Sequence, residues 1–251
     1  MRLSLLVTII GILVLVCTVI TDSSFASQNT FRYHLVSSSN NNNNNDNDGN
    51  GDPIIDRLQI CCSWSAKLSD GILKYSINVN DEEKREVIVN AIKEWERNIE
   101  GLHLVEEPNP QASDIQIVFG DLDDDKTGNR YYDFKNRVDE DLTLIPSAGW
   151  TQFKFDKEGF IVGAKIIISE AVIKKGFDDY FIEQIAKHEL GHALGLGHSN
   201  NERSLMANLV LEDKTATISE CEISGVVSAN SWKFLQSKHK PELPNGMFVL
   251  C

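Results

Sequence analysis

Hydrophobic and polar residues follow two different periods along this chain, and the period predicts which segments are strands and which are helices. Apolar residues take every second position over residues 73–79, which is typical of a strand with one buried face. Over residues 88–99 they recur three or four positions apart, which predicts an amphipathic helix. Asn80 and Glu83 form the predicted capping pair at the start of this helix, and Gly101 is its predicted end.

The same two patterns recur in later segments. Three further strands are predicted, at residues 114–119, 150–155 and 161–168. Asp178 or Asp179 is predicted to cap a second helix. Ser219 and Glu222 form the capping pair of a third helix, which runs through Phe234. The resulting order, β-α-β-β-β-α-α, describes an α+β domain.

The chain divides into three parts by composition. Residues 1–26 contain an apolar run of 18 residues, preceded by Arg2 and followed by small residues, which is the layout of a secretory signal peptide. A retained membrane anchor is the alternative, because the run is close to the minimum length of a bilayer span. Residues 27–56 include an Asn-rich stretch and are predicted to form a disordered linker. Residues 57–251 are the predicted folded domain, which both interpretations place outside the cytoplasm, secreted or tethered to the outer face of the membrane.

The charge of the chain narrows the choice of partners. Lys and Arg number 24 against 37 Asp and Glu, which leaves a net charge of −13. Because so acidic a chain repels phosphate backbones, we predict no nucleic-acid partner. A membrane is a predicted partner only through residues 1–26, if that segment is not cleaved. The sequence indicates no oligomeric state.

Four cysteines lie outside the N-terminal apolar run: Cys61, Cys62, Cys221 and Cys251. An even number in an exported domain predicts two disulfides, and four free or metal-bound thiols are the alternative. Adjacent cysteines rarely bridge each other, because the small ring strains the peptide bond between them. We therefore expect Cys61 and Cys62 each to pair with Cys221 or Cys251, which would join the C-terminus to the start of the domain.

Residues 188–198 carry the strongest chemical signal, since they read HELGHALGLGH and contain three of the six histidines of the chain. His188 and His192 are four positions apart, so on a helix they project from the same face and can bind one ion together. Glu189 follows directly and is expected to lie beside that ion.

A glycine explains how a third histidine joins the first two. Gly195 can adopt the left-handed backbone conformation that ends a helix and turns the chain sharply. This turn is predicted to return the chain so that His198 supplies a third imidazole. Three neutral imidazoles with an open fourth position are the ligand set of a catalytic zinc ion.

These residues resemble the HExxHxxGxxH zinc signature of the metzincin metallopeptidases. Met206, eight residues after His198, resembles the Met-turn of that clan, and the interval is most similar to the matrixin branch. The similarity extends less specifically over residues 70–236. It implies a zincin domain with a twisted mixed sheet of four to five strands, three main helices and an active-site helix that ends at a glycine turn. It also implies an upper subdomain to about residue 195 and a lower one over residues 196–251.

The resemblance implies a zinc-dependent endopeptidase that acts on protein or peptide substrates. In this interpretation His188, His192 and His198 are the zinc ligands. Glu189 is the catalytic general base, and Met206 forms an apolar floor beneath the site.

Substrate binding in this family uses an exposed strand edge that pairs with an extended peptide. The candidate residues for this edge are Trp150, Thr151, Gln152 and Phe153. An equal alternative is an edge strand whose aromatic residues merely pack inward.

The chain departs from the family pattern in the long segment 120–147, where no periodicity appears and a loop is predicted. Matrixins typically hold a second, structural zinc through histidines there, whereas no histidine lies between His103 and His188. The loop instead contains a cluster of aspartates, Asp121, Asp123, Asp124 and Asp125. A solvated acidic loop is the preferred interpretation of this cluster, and a calcium site is the alternative.

Two other functions are compatible with the motif. A zinc-dependent hydrolase of another amide, such as a cell-wall or modified peptide, would use the same chemistry. A non-catalytic binding module that contains zinc is the second alternative. The intact Glu189 argues against that module, because a purely structural zinc site needs four protein ligands and no base.

Overall fold

The computed structural model describes residues 55–120, 148–208, 217–230 and 247–251. The predicted signal peptide or anchor, nearly all of the linker and the cluster of aspartates that follows residue 120 lie outside these ranges, as does the predicted continuation of the last helix to Phe234. None of the helices in the described ranges has the length and apolar character that a membrane span requires.

The described strands form two sheets. In chain order the strands are β1 (Arg57–Ile60), β2 (Ile72–Asn78), β3 (His103–Glu106), β4 (Ile115–Gly120), β5 (Gly149–Phe155), β6 (Ile161–Ser169), β7 (Leu196–Ser199) and β8 (Phe248–Leu250). The larger sheet has five strands in the order β3-β2-β4-β6-β5. Its strands are parallel except β5, which runs antiparallel to β6 at one edge. The predicted mixed sheet is therefore confirmed.

A second, antiparallel sheet has the order β7-β1-β8. The sequence pattern does not predict it, because β1 and β8 have only four and three residues, too few to display a period of two. In this sheet β1 lies between β7, the strand that follows the histidine-bearing helix, and β8, the last described strand.

The helices are α1 (Glu82–Asn98), α2 (Glu170–Lys174), α3 (Asp179–Ala193) and α4 (Glu220–Ala229). Asp178 caps α3, because its carboxylate accepts a hydrogen bond from the backbone N–H of Phe181 at 2.8 Å. The predicted capping pair of Ser219 and Glu222 is confirmed at the start of α4. The predicted α+β fold with three main helices is thus confirmed, and α2 is a short addition.

The cap predicted for α1 is wrong by one residue. The cap is Asp81, whose carboxylate oxygen Oδ1 accepts hydrogen bonds from the N–H groups of Glu83 and Lys84 at 3.0 and 3.2 Å. Asp81 has an extended backbone and directly precedes the first helical residue, so its side chain reaches these N–H groups. Asn80 lies one position further from the helix.

The helix that carries the motif lies between α1 and the edge of the larger sheet. α3 packs against α1 on one side and against β5 and β6 on the other. Trp95 of α1 is fully buried and donates a hydrogen bond from Nε1 to the carbonyl oxygen of Lys187 at 2.9 Å. This bond fixes the backbone of α3 directly before His188.

The disulfide pairing expected from the sequence is wrong. Cys61 pairs with its neighbour Cys62, and Cys221 pairs with Cys251. The antiparallel pairing of β1 with β8 explains this, because the N–H of Cys251 donates to the carbonyl of Asp56, at the start of β1. Cys61 and Cys62 follow the other end of that strand, whereas the Cα atoms of Cys221 and Cys251 are 5.4 Å apart, within disulfide range.

Candidate metal centre

The motif spans the end of α3, a tight turn and β7. His188 and His192 are in α3, and His198 is in β7. Gly195 forms the turn with φ at +106°, a left-handed backbone conformation that residues other than glycine rarely adopt. A side chain here would also collide with the neighbouring segment, since a Cβ would lie 2.5 Å from the carbonyl oxygen of Cys62.

Two fully buried residues far from the motif in sequence hold this turn. Trp64 donates from Nε1 to the carbonyl of Ala193 at 2.8 Å, which satisfies the C-terminal end of α3. Asn230 donates from Nδ2 to the carbonyl of Leu194 at 3.0 Å and accepts from the backbone N–H of Trp64 at 3.0 Å. Sequence reasoning missed both residues, because their partners are 129 and 36 positions away along the chain.

The three imidazoles converge. The ring centroids of His188 and His192 are 4.7 Å apart, and that of His198 lies 5.6 and 4.8 Å from them. One ring nitrogen from each histidine lies within 4.8 Å of the other two. The turn at Gly195 therefore brings the third histidine to the first two, as its spacing predicts.

Backbone carbonyls orient two of the rings. Nδ1 of His188 lies 2.7 Å from the carbonyl oxygen of Leu205, and Nδ1 of His192 lies 2.9 Å from that of Leu196. Because a carbonyl only accepts hydrogen bonds, each Nδ1 carries the proton and each Nε2 keeps its lone pair. Nε2 is then the metal-binding atom of both rings.

Burial also keeps these rings uncharged. It lowers the pKa of His188, holds the pKa of His192 well below its usual value and lowers that of His198 to about 4. The rings are therefore neutral at pH 7, the form in which imidazole binds metals. Three neutral nitrogen donors suit zinc, whereas calcium and magnesium prefer oxygen.

Glu189 is buried beside this cluster. Its carboxylate oxygen Oε2 accepts a hydrogen bond from the hydroxyl of Thr151 in β5 at 2.7 Å. Burial raises the pKa of Glu189 to about 8, an effect that the hydrogen bond from Thr151 opposes. Nothing in the residue spacing indicates the contact between Glu189 and Thr151, since 38 positions separate them.

Met206 lies in a buried turn whose preceding residue, Leu205, contacts His188. Its side chain is fully buried and packs against Gly191 of α3. Its carbonyl accepts from the N–H of Ser199 at 2.7 Å, and its own N–H donates to the hydroxyl of Ser204 at 3.0 Å. The Ser204 hydroxyl donates in turn to Glu222 of α4 at 2.6 Å. The turn is therefore tied both to the strand of His198 and to α4.

The sequence model of the peptidase family described as Matrixin matches residues 63–229, a span that includes the three histidines, Glu189 and Met206. The chain belongs to the matrixin family. It is therefore a metalloendopeptidase, and the family together with the histidine cluster supports a catalytic zinc. A comparison with curated proteins gave no match.

The candidate substrate strand of this matrixin is β5, which is at one edge of the larger sheet formed by the described strands. Thr151 is buried, and Phe153 is half-buried and packs against the core. Trp150 and Gln152 are half-buried and alternate with them along the strand. The strand thus presents one face to α3 and the core and the other face away from them.

Proposed function

We propose that this matrixin is a secreted or surface-tethered zinc endopeptidase in which His188, His192 and His198 hold the zinc ion and Glu189 is the general base. The convergence of three neutral imidazoles, two of them buried and the third half-buried, with the buried carboxylate of Glu189 directly following the first, carries the proposal. Within the part of the chain that the structure describes, the cluster has three side-chain ligands, and an open fourth position is what separates a catalytic zinc site from a structural one.

The proposed reaction divides the chemistry between the ion and Glu189. A zinc ion held by the three imidazoles would act as a Lewis acid, which would acidify a water molecule and polarise a carbonyl group. Glu189 accepts the proton of the attacking water at its carboxylate and then delivers it to the nitrogen of the leaving amine. Its buried position keeps competing water away from this transfer.

The proposed substrate is an extended stretch of polypeptide that pairs with β5. The edge position of the strand supports this, since backbone N–H and C=O groups at a sheet edge can pair with an added strand. Trp150 and Gln152, which alternate with the inward-facing residues, are the proposed contacts for substrate side chains. Such pairing makes the enzyme selective for unfolded or extended segments.

The test compares wild type with Glu189→Gln on an unfolded protein such as casein. The variant keeps the shape of the side chain but cannot accept a proton, so we expect turnover to fall by about 10²-fold or more with zinc content unchanged. Glu86→Gln, on the exposed surface of α1, is the matched control and should keep full activity. A Glu189→Gln enzyme as active as wild type would show that another group is the base.

Residues 57–251 are the proposed catalytic domain, with the division into subdomains near residue 195. The proposed export rests on the apolar run within residues 1–26. N-terminal sequencing of the protein released from expressing cells tests it. A new N-terminus near residue 27 indicates a cleaved signal peptide, whereas an intact chain that sediments with membranes indicates an anchor.

A further inference from the structure

The edge strand β5 contacts the side chain of Glu189 through a specific hydrogen bond. The hydroxyl of Thr151 lies 2.7 Å from Oε2 of Glu189 and 3.0 Å from the carbonyl oxygen of the same residue. Both residues are almost fully buried, at 4% and 5% exposure. The Thr151 hydroxyl has one proton to donate, and Oε2 is the stronger acceptor because it is nearer and belongs to an ionisable carboxyl group. The hydroxyl therefore donates to Oε2.

A second position of the same strand also bounds this carboxylate. A Cβ at Gly149 would lie 2.7 Å from both Cγ and Oε1 of Glu189, so the backbone of β5 lies directly against the side chain. Residues two apart on a strand point to the same face. Gly149 and Thr151 therefore form one surface that limits where the carboxylate can lie.

We infer that Thr151 is a positioning residue for the general base, a role that rests on the proposed function of Glu189. The hydroxyl binds Oε2 and fixes the rotation of the carboxylate, so that Oε1 is the oxygen that receives the proton from water. β5 then has two functions, because its edge pairs with substrate and its inner face holds the base. A substrate that shifts β5 would shift the base with it.

A purely structural role for Thr151 predicts a different order of variants. Thr151→Val keeps the size and the branched shape but loses the hydroxyl, whereas Thr151→Ser keeps the hydroxyl but leaves a cavity the size of a methyl group. If packing alone matters, the valine variant is the milder one. If the hydroxyl positions Glu189, the serine variant is the milder one in turnover.

The experiment measures kcat and KM on a peptide substrate, with zinc content and melting temperature, for both variants in the full chain. We expect Thr151→Val to lower kcat by about 10- to 100-fold, the loss of one hydrogen bond to a charged group, with KM within about twofold. Thr151→Ser should keep kcat within about threefold of wild type. Thr151→Ala deletes the hydroxyl in a second way and should lower kcat at least as much as valine.

Ser76→Ala is the matched control. Ser76 is a buried hydroxyl of β2 in the same sheet, and its partner at 2.9 Å is Ser113, not Glu189. Its loss should lower the melting temperature without changing kcat. This control separates the general cost of removing a buried hydroxyl from an effect on the base.

Several outcomes would overturn the inference. Full turnover by Thr151→Val, a rise in KM alone, or a loss of zinc in step with activity would each assign the hydroxyl to another role or to none. If Glu189→Gln is inactive while Thr151→Val is fully active, the proposed function stands and the inference fails. If Glu189→Gln is fully active, both fail.

Discussion

Nδ1 of His188 donates a hydrogen bond of 2.7 Å to the carbonyl oxygen of Leu205, a residue 17 positions further along the chain. Leu205 directly precedes Met206, so the turn that contains Met206 also sets the orientation of the His188 imidazole. The turn is fixed in its own right, because Ser204 links it to Glu222 of α4. The geometry of the proposed metal site therefore depends on residues that never touch a metal.

Met206→Ala should destabilise both the fold and the metal site. The side chain is fully buried, and truncating a buried methionine to alanine costs about 2–5 kcal/mol because a cavity remains. We also expect weaker zinc binding, since the cavity lets the turn and its carbonyl at Leu205 move. Thermal unfolding and zinc competition with a chelator measure the two effects.

Met206→Leu is the control, because leucine has nearly the same volume as methionine. It should lower the free energy of unfolding by less than about 1.5 kcal/mol. Equal losses in both variants would contradict a packing role.

Removal of zinc should abolish hydrolysis and lower the melting temperature, and added zinc should restore both. A ligand present at a hundred times its dissociation constant stabilises the native state by about 2.7 kcal/mol. His198→Ala should reproduce the loss, because it removes one of the three converging nitrogens. His103→Ala removes an exposed imidazole of β3 and serves as the control. Metal content by mass spectrometry checks the prediction, which fails if His198→Ala retains stoichiometric zinc.

Gly149→Ala should impair turnover more than folding. The added Cβ would lie 2.7 Å from Cγ and Oε1 of Glu189 and 2.9 Å from Ile185, so the proposed base must move. We expect kcat to fall by about tenfold or more, as small displacements of catalytic groups commonly cause.

Gly163→Ala is the control for this change. Gly163 lies on the adjacent strand β6, where a Cβ would meet its nearest neighbour at an ordinary 3.6 Å. Its kcat should match wild type. If both alanine variants turn over alike, the contact between Gly149 and the Glu189 side chain has no bearing on catalysis.

More of the candidate site than of the surrounding fold could be predicted from the sequence, because the histidine cluster depends on contacts between residues that are close along the chain. Helical spacing places His188 beside His192, and the conformational freedom of Gly195 brings His198 back, so the cluster depends on local geometry. The contacts that complete the site are tertiary. Thr151 meets Glu189 only because β5 lies beside α3, and no local pattern encodes that contact.

The second sheet and the disulfides were beyond prediction for a related reason. β1 and β8 are too short to display a period, and the pairing of cysteines depends on which strand ends meet. Once β8 lies antiparallel to β1, Cys251 is carried to the start of β1 and away from Cys61. The expected cysteine pairing was wrong because the sequence pattern does not predict the contact between β1 and β8.

Loss of the disulfide between Cys221 and Cys251 should weaken the fold. The bond closes a loop over a sequence separation of 30, for which the chain-entropy model gives about 3–4 kcal/mol. The bond also joins the end of β8 to α4. Because β1 pairs both with β8 and with β7, the strand of His198, this bond supports the sheet that holds His198. Cys251→Ser should therefore lower the melting temperature and speed zinc release to a chelator.

The double variant Cys61→Ser with Cys62→Ser is the control. It removes a disulfide between neighbouring residues, which closes no long loop, so it should change the stability far less. Peptide mapping without reduction checks the pairing directly, and a peptide that links Cys61 or Cys62 to Cys251 would overturn it.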